Sequence, residues 1–360
     1  MDLKALFSDP RRRNLALLAG LALVGVLWAA IALNHRAAEV APKYPPHEFF
    51  PGLAAKVDDV TRIHVVSAKS GAFDVVFVPM KGWVLPGRGN YPASFEDVRK
   101  TLVGMAALET IEPKTARRDW FHFVGLDTPP KGDGVQITLS DDHGRVLASM
   151  IAGKTEDIGD SSGAIGLFVR KPEAQQSWLV LSPFEPHANE ADWMDKTVVS
   201  VDRTRIQDVD VRPRSGPAYT LHREKQSDAD FTLSPIPKSR ETGDPGQRDA
   251  VAAALAGFSF GDIRRASDFD FDGQGSRVVT HTFDGLIVSV DVMHQGSDIW
   301  ARVFADAVPG KPDAAKEANE INAHAAGWAY QLATYQGTLF TTPLEGLLKP
   351  HEAAKAKSGK

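Results

Sequence analysis

The same order of short sequence patterns occurs twice in this chain of 360 residues, and this repetition limits the fold more than any other feature. The segment Thr-Arg-Ile, followed by an alternating strand pattern, begins at Thr61 and again at Thr204. Each copy continues with two further strand patterns, an amphipathic helix and a hairpin. Such an order is typical of α+β domains, in which helices cover one face of mainly antiparallel sheets. The sequence therefore predicts two related α+β halves, residues 52–195 and 196–348, although an unrelated α+β chain can produce this order by chance.

In the first copy, strand patterns cover Val57–Val66, Ala72–Val78 and Gly82–Leu85. A helix follows, with Ser94 as its predicted N-cap and Asp97 three residues later. Its apolar side chains recur at spacings of three and four, which predicts one core-facing side made of Phe95, Val98, Leu102, Met105 and Leu108. After the helix, a hairpin is predicted about Asp142-His143-Gly144.

In the second copy, the strand patterns RIQDVDV, AYTLHRE and FTLSPI precede a helix with a more specific start. Asp244 is its predicted N-cap, Pro245 takes the first helical position and Gln247 completes a capping box. A hairpin is predicted about Asp284-Gly285, because Asp-Gly between alternating apolar runs favours a tight turn. The segment PDAAKEANEINAHAAG then predicts a helix, and WAYQLATYQGTLFTTPLEGLL predicts a closing strand pair and a short helix.

One apolar run, from Leu15 to Leu33, contains no charge and no strongly polar side chain. As a helix it would be about 28 Å long, close to the ~30 Å hydrocarbon core of a bilayer, so it predicts a transmembrane helix. Basic residues are concentrated before the run, at Lys4 and Arg11–Arg13, which places the N-terminus in the cytoplasm and the body outside. The alternative is a cleaved signal peptide, since Ala30-Ile31-Ala32 offers a small-residue cleavage site.

Outside the predicted anchor and the two halves, the chain has three further segments. Residues 1–14 are the predicted cytoplasmic N-terminus, residues 34–51 a Pro-rich stalk and residues 349–360 a disordered basic tail. The net charge is −5 although both ends are basic, so the body between them is acidic, which argues against a nucleic-acid partner. The absence of cysteine excludes disulfides, thiolate metal sites, iron–sulfur clusters and a cysteine nucleophile.

The strongest metal candidate is the stretch DFDFDG, in which Asp268, Asp270 and Asp272 fit the first half of a calcium-binding loop. The twelfth position, which should supply a bidentate carboxylate, is Val279. The same alternation also fits a half-exposed strand with Phe269 and Phe271 facing inward. We therefore predict no metal site and keep these three carboxylates only as weak calcium candidates.

No catalytic or cofactor-binding residue is predicted. The segment Gly159–Gly163, GDSSG, is similar to a serine-peptidase nucleophile loop, but a cluster of Gly, Ser and Asp between strands favours a turn over a nucleophilic Ser161 or Ser162. The histidines form no H-E-x-x-H motif, and His281 and His294 are predicted to be surface residues. The chain also has no phosphate-binding P-loop motif.

Five tryptophans lie in strand-like, apolar surroundings, which predicts core packing, with an exposed subset as the alternative for an interface. They are Trp83, Trp120, Trp178, Trp300 and Trp328.

Five segments of the chain resemble the bacterial family called DUF4340, a domain of unknown function. They are FFPGLAAKVDDVTRI, GWVLPGRGNYPASFEDVRKTLVGMAALE, GLFVRKPEAQQSWLV, DWMDKTVVSVDRTRIQDVDV and GWAYQLATYQGTLFTTPLEGLL. The resemblance covers most of residues 48–348 and includes no catalytic signature. It implies one N-terminal span, an exported body of repeats and, as a partner, an ABC-type transport system of the gliding-motility auxiliary kind.

Three functions remain after these considerations. The first, which we favour, is a single-span protein of the bacterial inner membrane whose periplasmic body binds protein partners, as an accessory or scaffold of an ABC-type transporter. The second is a periplasmic solute- or lipid-binding module with a cleft between the halves. The third is a hydrolase of an envelope polymer, which would need two carboxylates about 5 to 9.5 Å apart in a deep groove.

Overall fold

The computed structural model of the chain describes residue 14, residue 18 and residues 21–29, 44–159 and 163–350. Two antiparallel sheets with several helices make up the body, so the predicted α+β class is confirmed. The first sheet has nine strands and the second has eight.

The strands of the first sheet all come from the first half of the chain. They are β1 (Arg62–Ser67), β2 (Gly71–Val78), β3 (Gly82–Leu85), β4 (Tyr91–Pro92), β5 (Glu109–Pro113), β6 (Val135–Ser140), β7 (Val146–Glu156), β8 (Ile165–Arg170) and β9 (Ser177–Ser182). Their order across the sheet is β4-β3-β2-β1-β6-β7-β8-β9-β5. Helix α1 (Phe95–Ala106) lies between β4 and β5 in sequence.

The predicted strand Val57–Val66 is wrong in its first part, because Ala54–Asp59 is a 3₁₀ helix and β1 begins only at Arg62. Val57 and Val60 are three residues apart, which is the period of a 3₁₀ helix, and the Val60 amide donates to the Val57 carbonyl at 3.2 Å.

The second sheet is built from later residues, with strands β10 (Ile206–Arg212), β11 (Tyr219–His222), β12 (Thr232–Ser234), β13 (Phe260–Arg265), β14 (Ser276–Thr282), β15 (Leu286–Gln295), β16 (Asp298–Ala307) and β17 (Trp328–Leu332). Their order is β12-β11-β10-β14-β15-β16-β17-β13. The helices of this half are α2 (Pro245–Ala252), α3 (Phe271–Gln274), α4 (Pro312–Ala325) and α5 (Thr334–Thr341).

Of the predicted closing strand pair, the first strand is present as β17, and the second is wrong, because β17 is followed by helix α5 and by the 3₁₀ helix Leu344–Leu347. The Thr and aromatic residues of this segment favour a strand locally. Burial of Gln336, Gly337 and Phe340 on one side of a helix decides the conformation instead.

The strand order repeats between the two sheets. Without β4, the order of the first sheet is β3-β2-β1-β6-β7-β8-β9-β5. The second sheet has the same order when its strands β10 to β17, numbered along the chain, are matched one by one with the remaining strands of the first sheet. Helices α1 and α2 occupy the same place in each half, directly before β5 and β13 apart from a short 3₁₀ helix in the second half. The repetition read from local patterns therefore extends to the whole sheet.

The closing segments of the halves also repeat. In the first half, Ala93 forms an isolated bridge with Met194, and the Ser94 amide donates to the Trp193 carbonyl at 2.8 Å. In the second half, Thr242 forms a bridge with Leu348, and the Gly243 amide donates to the Leu347 carbonyl, also at 2.8 Å. In each half, the end of the repeat thus ties down the start of its covering helix.

The halves meet at β4, which has no counterpart in the second sheet. The Tyr91 ring packs edge-on against the rings of Phe260, Trp328 and Tyr330, with centroids 5.2 to 6.4 Å apart. Next to it, the Arg88 guanidinium donates to Glu190 of the first half at 2.7 Å and to Asp262 of the second half at 2.5 Å. Buried apolar residues of both halves form one contiguous core.

The predicted anchor Leu15–Leu33 falls mostly outside the described residues. Residues 21–29 are helical, and their apolar side chains are exposed. Within the described part of the chain, no helix is both long enough and apolar enough to cross a membrane. The rest of the predicted anchor, residues 1–13 and the tail 351–360 lie outside the described residues.

Of the predicted stalk, Phe49 and Phe50 are buried, and Glu48 bridges to Glu109 at the start of β5.

Candidate partner-binding groove

A groove in the first half lies between the 3₁₀ helix Ala54–Asp59, the β2–β3 hairpin and α1. Its cavity volume is about 430 Å³. The walls are mostly apolar and include Val57, Phe77, Trp83, Phe95, Leu102 and Val103. We call this feature the α1 groove.

Helix α1 contributes an apolar surface that is wider than the part covered by the sheet. Ser94 starts the helix by accepting a hydrogen bond from the Asp97 amide at 3.2 Å, as predicted. Val98, Leu102 and Met105 are buried against the sheet. Phe95, predicted to be in the core, is 68 % exposed, and Val103 is 51 % exposed. The apolar arc of α1 therefore continues past the core contact into the groove.

The opposite wall comes from the end of β2. Phe73, Val75 and Phe77 point to the same face, since side chains alternate along a strand. Phe73 and Val75 are buried, whereas Phe77 is 44 % exposed. The Phe77 ring packs edge-on against the Trp83 ring at a centroid distance of 5.8 Å. These two rings make a firm apolar wall where the cover of the sheet ends.

In the second half, the corresponding elements are tied together by polar side chains. Arg203 directly precedes the second Thr-Arg-Ile, and Val60 directly precedes the first, so these two residues are equivalent. Asp249 lies five residues after the N-cap of α2, and Arg99 lies five residues after the N-cap of α1. The Arg203 guanidinium pairs with Asp249 at 2.6 Å. Phe231 donates its amide to Asp249 at 3.3 Å. The α1 groove is therefore open at a place that the other repeat closes.

Arg223 fills the closed site of the second half. The residue is 2 % exposed, and its guanidinium lies over the Phe231 ring, 4.6 Å from the centroid. It donates to the carbonyls of Arg203 and Ile206 at 2.7 and 2.6 Å. Burial lowers the pKa of Arg223.

The rim of the α1 groove carries charges of both signs. Arg99 and Asp58 line its mouth, and on the outer face of α1 the Lys100 ammonium pairs with Glu96 at 2.6 Å. The hydrogen bond that Lys100 donates to Glu96 raises the pKa of Lys100. An apolar floor with a polar rim is the usual composition of a protein–protein contact surface.

The weak calcium candidates do not form one cluster. Asp270 caps α3 by accepting from the Gly273 amide at 3.2 Å, Asp272 pairs with Arg302, and Asp268 accepts from the Ser267 hydroxyl at 3.4 Å. Each carboxylate thus has a separate partner, and Asp270 has the structural role of an N-cap.

Within the described residues, one group of three metal-capable side chains is close together, at Asp141, Asp142 and His143 in the β6–β7 turn. Asp141 accepts from the amides of His143 and Arg145 at 3.0 and 2.9 Å, and the Arg145 side chain pairs with it at 2.7 Å. Although burial opposes ionisation, these bonds lower the pKa of Asp141. The carboxylate therefore stabilises the turn.

The other residues that the sequence singled out are dispersed. Ser161 and Ser162 lie outside the described residues. His281 is half-buried on β14, 3.5 Å from Asp210, and His294 is exposed.

Of the five tryptophans, Trp300 and Trp328 are buried as predicted, and Trp83 and Trp178 are partly buried against the core. Core packing is wrong for Trp120, which is 48 % exposed.

A family model described as a domain of unknown function, DUF4340, matches residues 83–272 of the chain. The matched region is more than half of the chain, and it contains Trp83 and all of α1. Neither the curated proteins nor the solved structures include a match to this chain.

Proposed function

We propose that this chain, which belongs to the DUF4340 family, is a membrane-anchored envelope protein that binds a protein partner through the α1 groove. The observation that carries this proposal is the open apolar groove of the first half, where the second half is closed by Arg203, Asp249 and Arg223. Exposed apolar surface of this kind is typical of contact sites.

The occupant of the groove is an apolar segment of another protein. Residues 34–43 and 351–360 are undescribed segments of the chain that lie on the same side of the membrane as the groove in this proposal. The first contains one large apolar residue, Val40, and the second contains none. Such segments cannot supply the two or three large side chains that a groove of about 430 Å³ accommodates. The resemblance to the family adds the source of the segment, a subunit of an ABC-type transport system.

The anchor supports the same function. Leu21, Leu23, Val24, Leu27 and Trp28 are 57 to 75 % exposed on the helical segment 21–29. Because leaving a large apolar side chain in water costs roughly 1.5 to 3 kcal/mol, this segment requires a lipid or protein cover. A bilayer provides that cover and keeps the body in the periplasm, next to the inner membrane.

Two observations favour partner binding over the alternatives. A solute-binding module needs a cleft between the halves, and at β4 the contact between them is filled by packed rings around Tyr91. A glycosidase needs a pair of carboxylates in a deep groove, and the α1 groove has Asp58 as its one lining carboxylate.

Site-specific crosslinking in native membranes tests the groove. A photoreactive phenylalanine at Phe95 is expected to crosslink to one partner, and the same group at Tyr335, 72 % exposed in the second half, is not. Val103→Glu is expected to weaken the crosslinked complex about tenfold or more, since a charge would enter the apolar contact.

Val146→Glu is the matched control, because Val146 is 62 % exposed and lies outside the groove. Mass spectrometry of the product should place the attachment in an apolar segment of the partner. Equal weakening by both valine substitutions, or attachment to a charged loop, would contradict the proposal.

The anchor is tested separately by Leu23→Arg together with Val24→Arg. Two arginines at the centre of the span cost roughly 5 to 7 kcal/mol on insertion scales, enough to prevent spanning. The wild-type protein should stay with the membrane on alkaline extraction, and the variant should not. A mature N-terminus after Ala32 in the wild type would show a cleaved signal peptide instead.

A further inference from the structure

A loop between β5 and β6 presents aromatic and basic side chains on a fixed base. Residues 114–124 form the first part of this connection and include the 3₁₀ helix Arg118–Val124. Phe121 is buried with Leu126 and Ile151 and holds the loop to the sheet. On either side of it in sequence, Trp120 and Phe123 are 48 and 64 % exposed. We call this segment the Trp120 loop.

Cationic side chains surround the two exposed rings. The Arg117 guanidinium lies 4.7 Å from the Trp120 ring centroid, and Lys154 donates to the Phe123 carbonyl at 3.0 Å. Arg118, two residues before Trp120, is exposed. Arg117 pairs with Asp119 and Lys114 with Glu112, each at 2.5 Å, so Arg118 and Lys154 give the surface a net positive charge. This charge is opposite to that of the acidic body.

The described residues that precede the body lie along β5 and run on the side of the Trp120 loop. The Thr110 amide donates to the His47 carbonyl at 2.9 Å, and the Phe49 amide to the Leu108 carbonyl at 2.9 Å, so residues 47–49 run antiparallel to β5. Traced backwards from Phe49 to His47, the chain therefore runs in the same direction as β5, which leads to Pro113 and the loop.

The connection between this side of the body and the proposed anchor is short. The His47 ring already contacts the Trp178 ring, 5.5 Å between centroids, and Trp178 lies opposite Pro113 at the end of β5. Ten residues separate Leu33 from Tyr44, which limits that connection to about 40 Å.

From these observations we propose that the Trp120 loop contacts the anionic phospholipid surface of the membrane in which the chain is anchored, an inference that rests on the proposed anchor. Exposed rings next to cations suit this surface, because aromatic side chains favour the headgroup region and basic ones are attracted to anionic lipid. The contact orients the first half relative to the membrane. In doing so it sets the direction in which the α1 groove faces.

A single fluorescent label tests this inference in the full-length chain, which has no cysteine of its own. Phe123→Cys carrying an environment-sensitive dye is reconstituted in vesicles of phosphatidylethanolamine and phosphatidylglycerol with a headgroup-level lipid quencher. The dye is expected to be quenched in these vesicles and not in vesicles whose only phospholipid is phosphatidylcholine and which carry the same quencher. Phe304→Cys is the matched control, since Phe304 is 48 % exposed and lies near Arg302, but in the second half. We expect no quenching at that position.

Charge reversal adds a quantitative arm. Arg118→Glu is expected to lower the ratio of bound to free loop about 30-fold. The substitution changes the charge by two units, and each unit near an anionic surface contributes about 1 kcal/mol. Arg212→Glu, at an exposed arginine of the second half, should leave the quenching unchanged.

A dye at Trp28→Cys separates failure of the anchor from failure of the loop contact. Quenching at Trp28 without quenching at Phe123 overturns the loop contact while the anchor stands. If the Trp28 dye is not quenched, the anchor fails, and the Phe123 dye with added vesicles still decides: lipid quenching supports the contact and its absence overturns it. Shielding of the Phe123 dye from water without lipid quenching indicates a protein contact and also overturns the proposal.

Discussion

At the residue scale, Arg223 shows how a buried charge can be accommodated without a carboxylate in direct contact. Its guanidinium donates to backbone carbonyls of Arg203, Thr204, Ile206 and Asp228 and stacks on Phe231. Carbonyl groups accept well from a cation, but several are needed to replace the lost hydration. The second half thereby closes the space that is a groove in the first half.

Arg223→Met tests this role, because methionine keeps much of the volume and removes every hydrogen bond. We expect a loss of about 3 kcal/mol in the free energy of unfolding, since the carbonyls of Arg203 and Ile206 lose a buried partner. Arg212→Met, at an exposed arginine, should change it by less than about 0.5 kcal/mol. Urea unfolding measures both variants. An unchanged midpoint for Arg223→Met would mean that the bonds only offset the cost of burial.

Three buried tyrosines make stability depend on alkaline pH. The hydroxyls of Tyr91, Tyr219 and Tyr330 donate to backbone carbonyls of Asp195, Thr342 and His324. Burial raises the pKa of all three above the usual range. Below pH ~10 both the folded and unfolded states keep the phenol protons, so this stabilisation is fully present there.

Above that pH the unfolded chain loses protons that the folded chain retains, so the free energy of unfolding should fall as pH rises. The expected slope is about 1.4 kcal/mol per pH unit for each tyrosine. Urea unfolding between pH ~9 and ~11.5 measures it, and each single Tyr→Phe variant should remove about a third of the slope. A slope that no Tyr→Phe substitution reduces would contradict this assignment.

At the element scale, the covering helices α1 and α2 begin with the caps that the sequence predicts. Ser94 accepts from the Asp97 amide, and Asp244 accepts from the Gly246 amide at 2.9 Å. Beyond the cap the helices differ, because α1 leaves Phe95 and Val103 exposed, whereas α2 buries Arg248 and Val251. The same local start therefore serves an open site in one half and a closed site in the other.

Ser94→Ala should lower the free energy of unfolding by about 1 kcal/mol, because the Asp97 amide loses its acceptor at the start of α1. Ser94→Asp should retain most of the stability, since a carboxylate accepts the same bond and favours a helix N-terminus. Thermal unfolding followed by circular dichroism compares the two variants. Equal losses for both would show that Ser94 acts through packing and not as a cap.

At the scale of the whole molecule, one loop of the first half makes several contacts with the second half. Arg88 links Glu190 to Asp262, Arg265 donates to the Gly89 carbonyl at 2.9 Å, and Tyr91 packs among the rings of the second half. Because of these contacts and the contiguous core, we expect the halves to unfold as one cooperative unit.

Arg88→Ala together with Tyr91→Ala should separate the halves. Removing the Tyr91 ring alone costs about 3 to 5 kcal/mol, and the lost ion pairs add to it, so we expect two unfolding transitions where the wild type has one. Calorimetry measures the transitions. Arg240→Ala removes an ion pair with Glu345 inside the second half and should keep a single transition. One transition in the double variant would show that the remaining core couples the halves.

Much of the fold could be predicted because its signals are local. The caps at Ser94 and Asp244 and the turn at Asp284-Gly285 follow from the chemistry of neighbouring residues, and Gly285 has the positive φ, 99°, that such a turn needs. The candidate site could not be predicted in this way. Phe95 and Val103 belong to a helical apolar pattern that reads the same whether the face is covered or open.

The sequence by itself determined the α+β class and the repeated order of elements, because alternation, helical period and turn residues act over a few positions. Only the tertiary structure decided what those elements cover. Trp120 is exposed because Phe121 takes the core position of its loop, and α5 is a helix because of the surface on which it packs. One repeat is closed by Arg223 and the other is open, since burial depends on side chains that are distant in sequence.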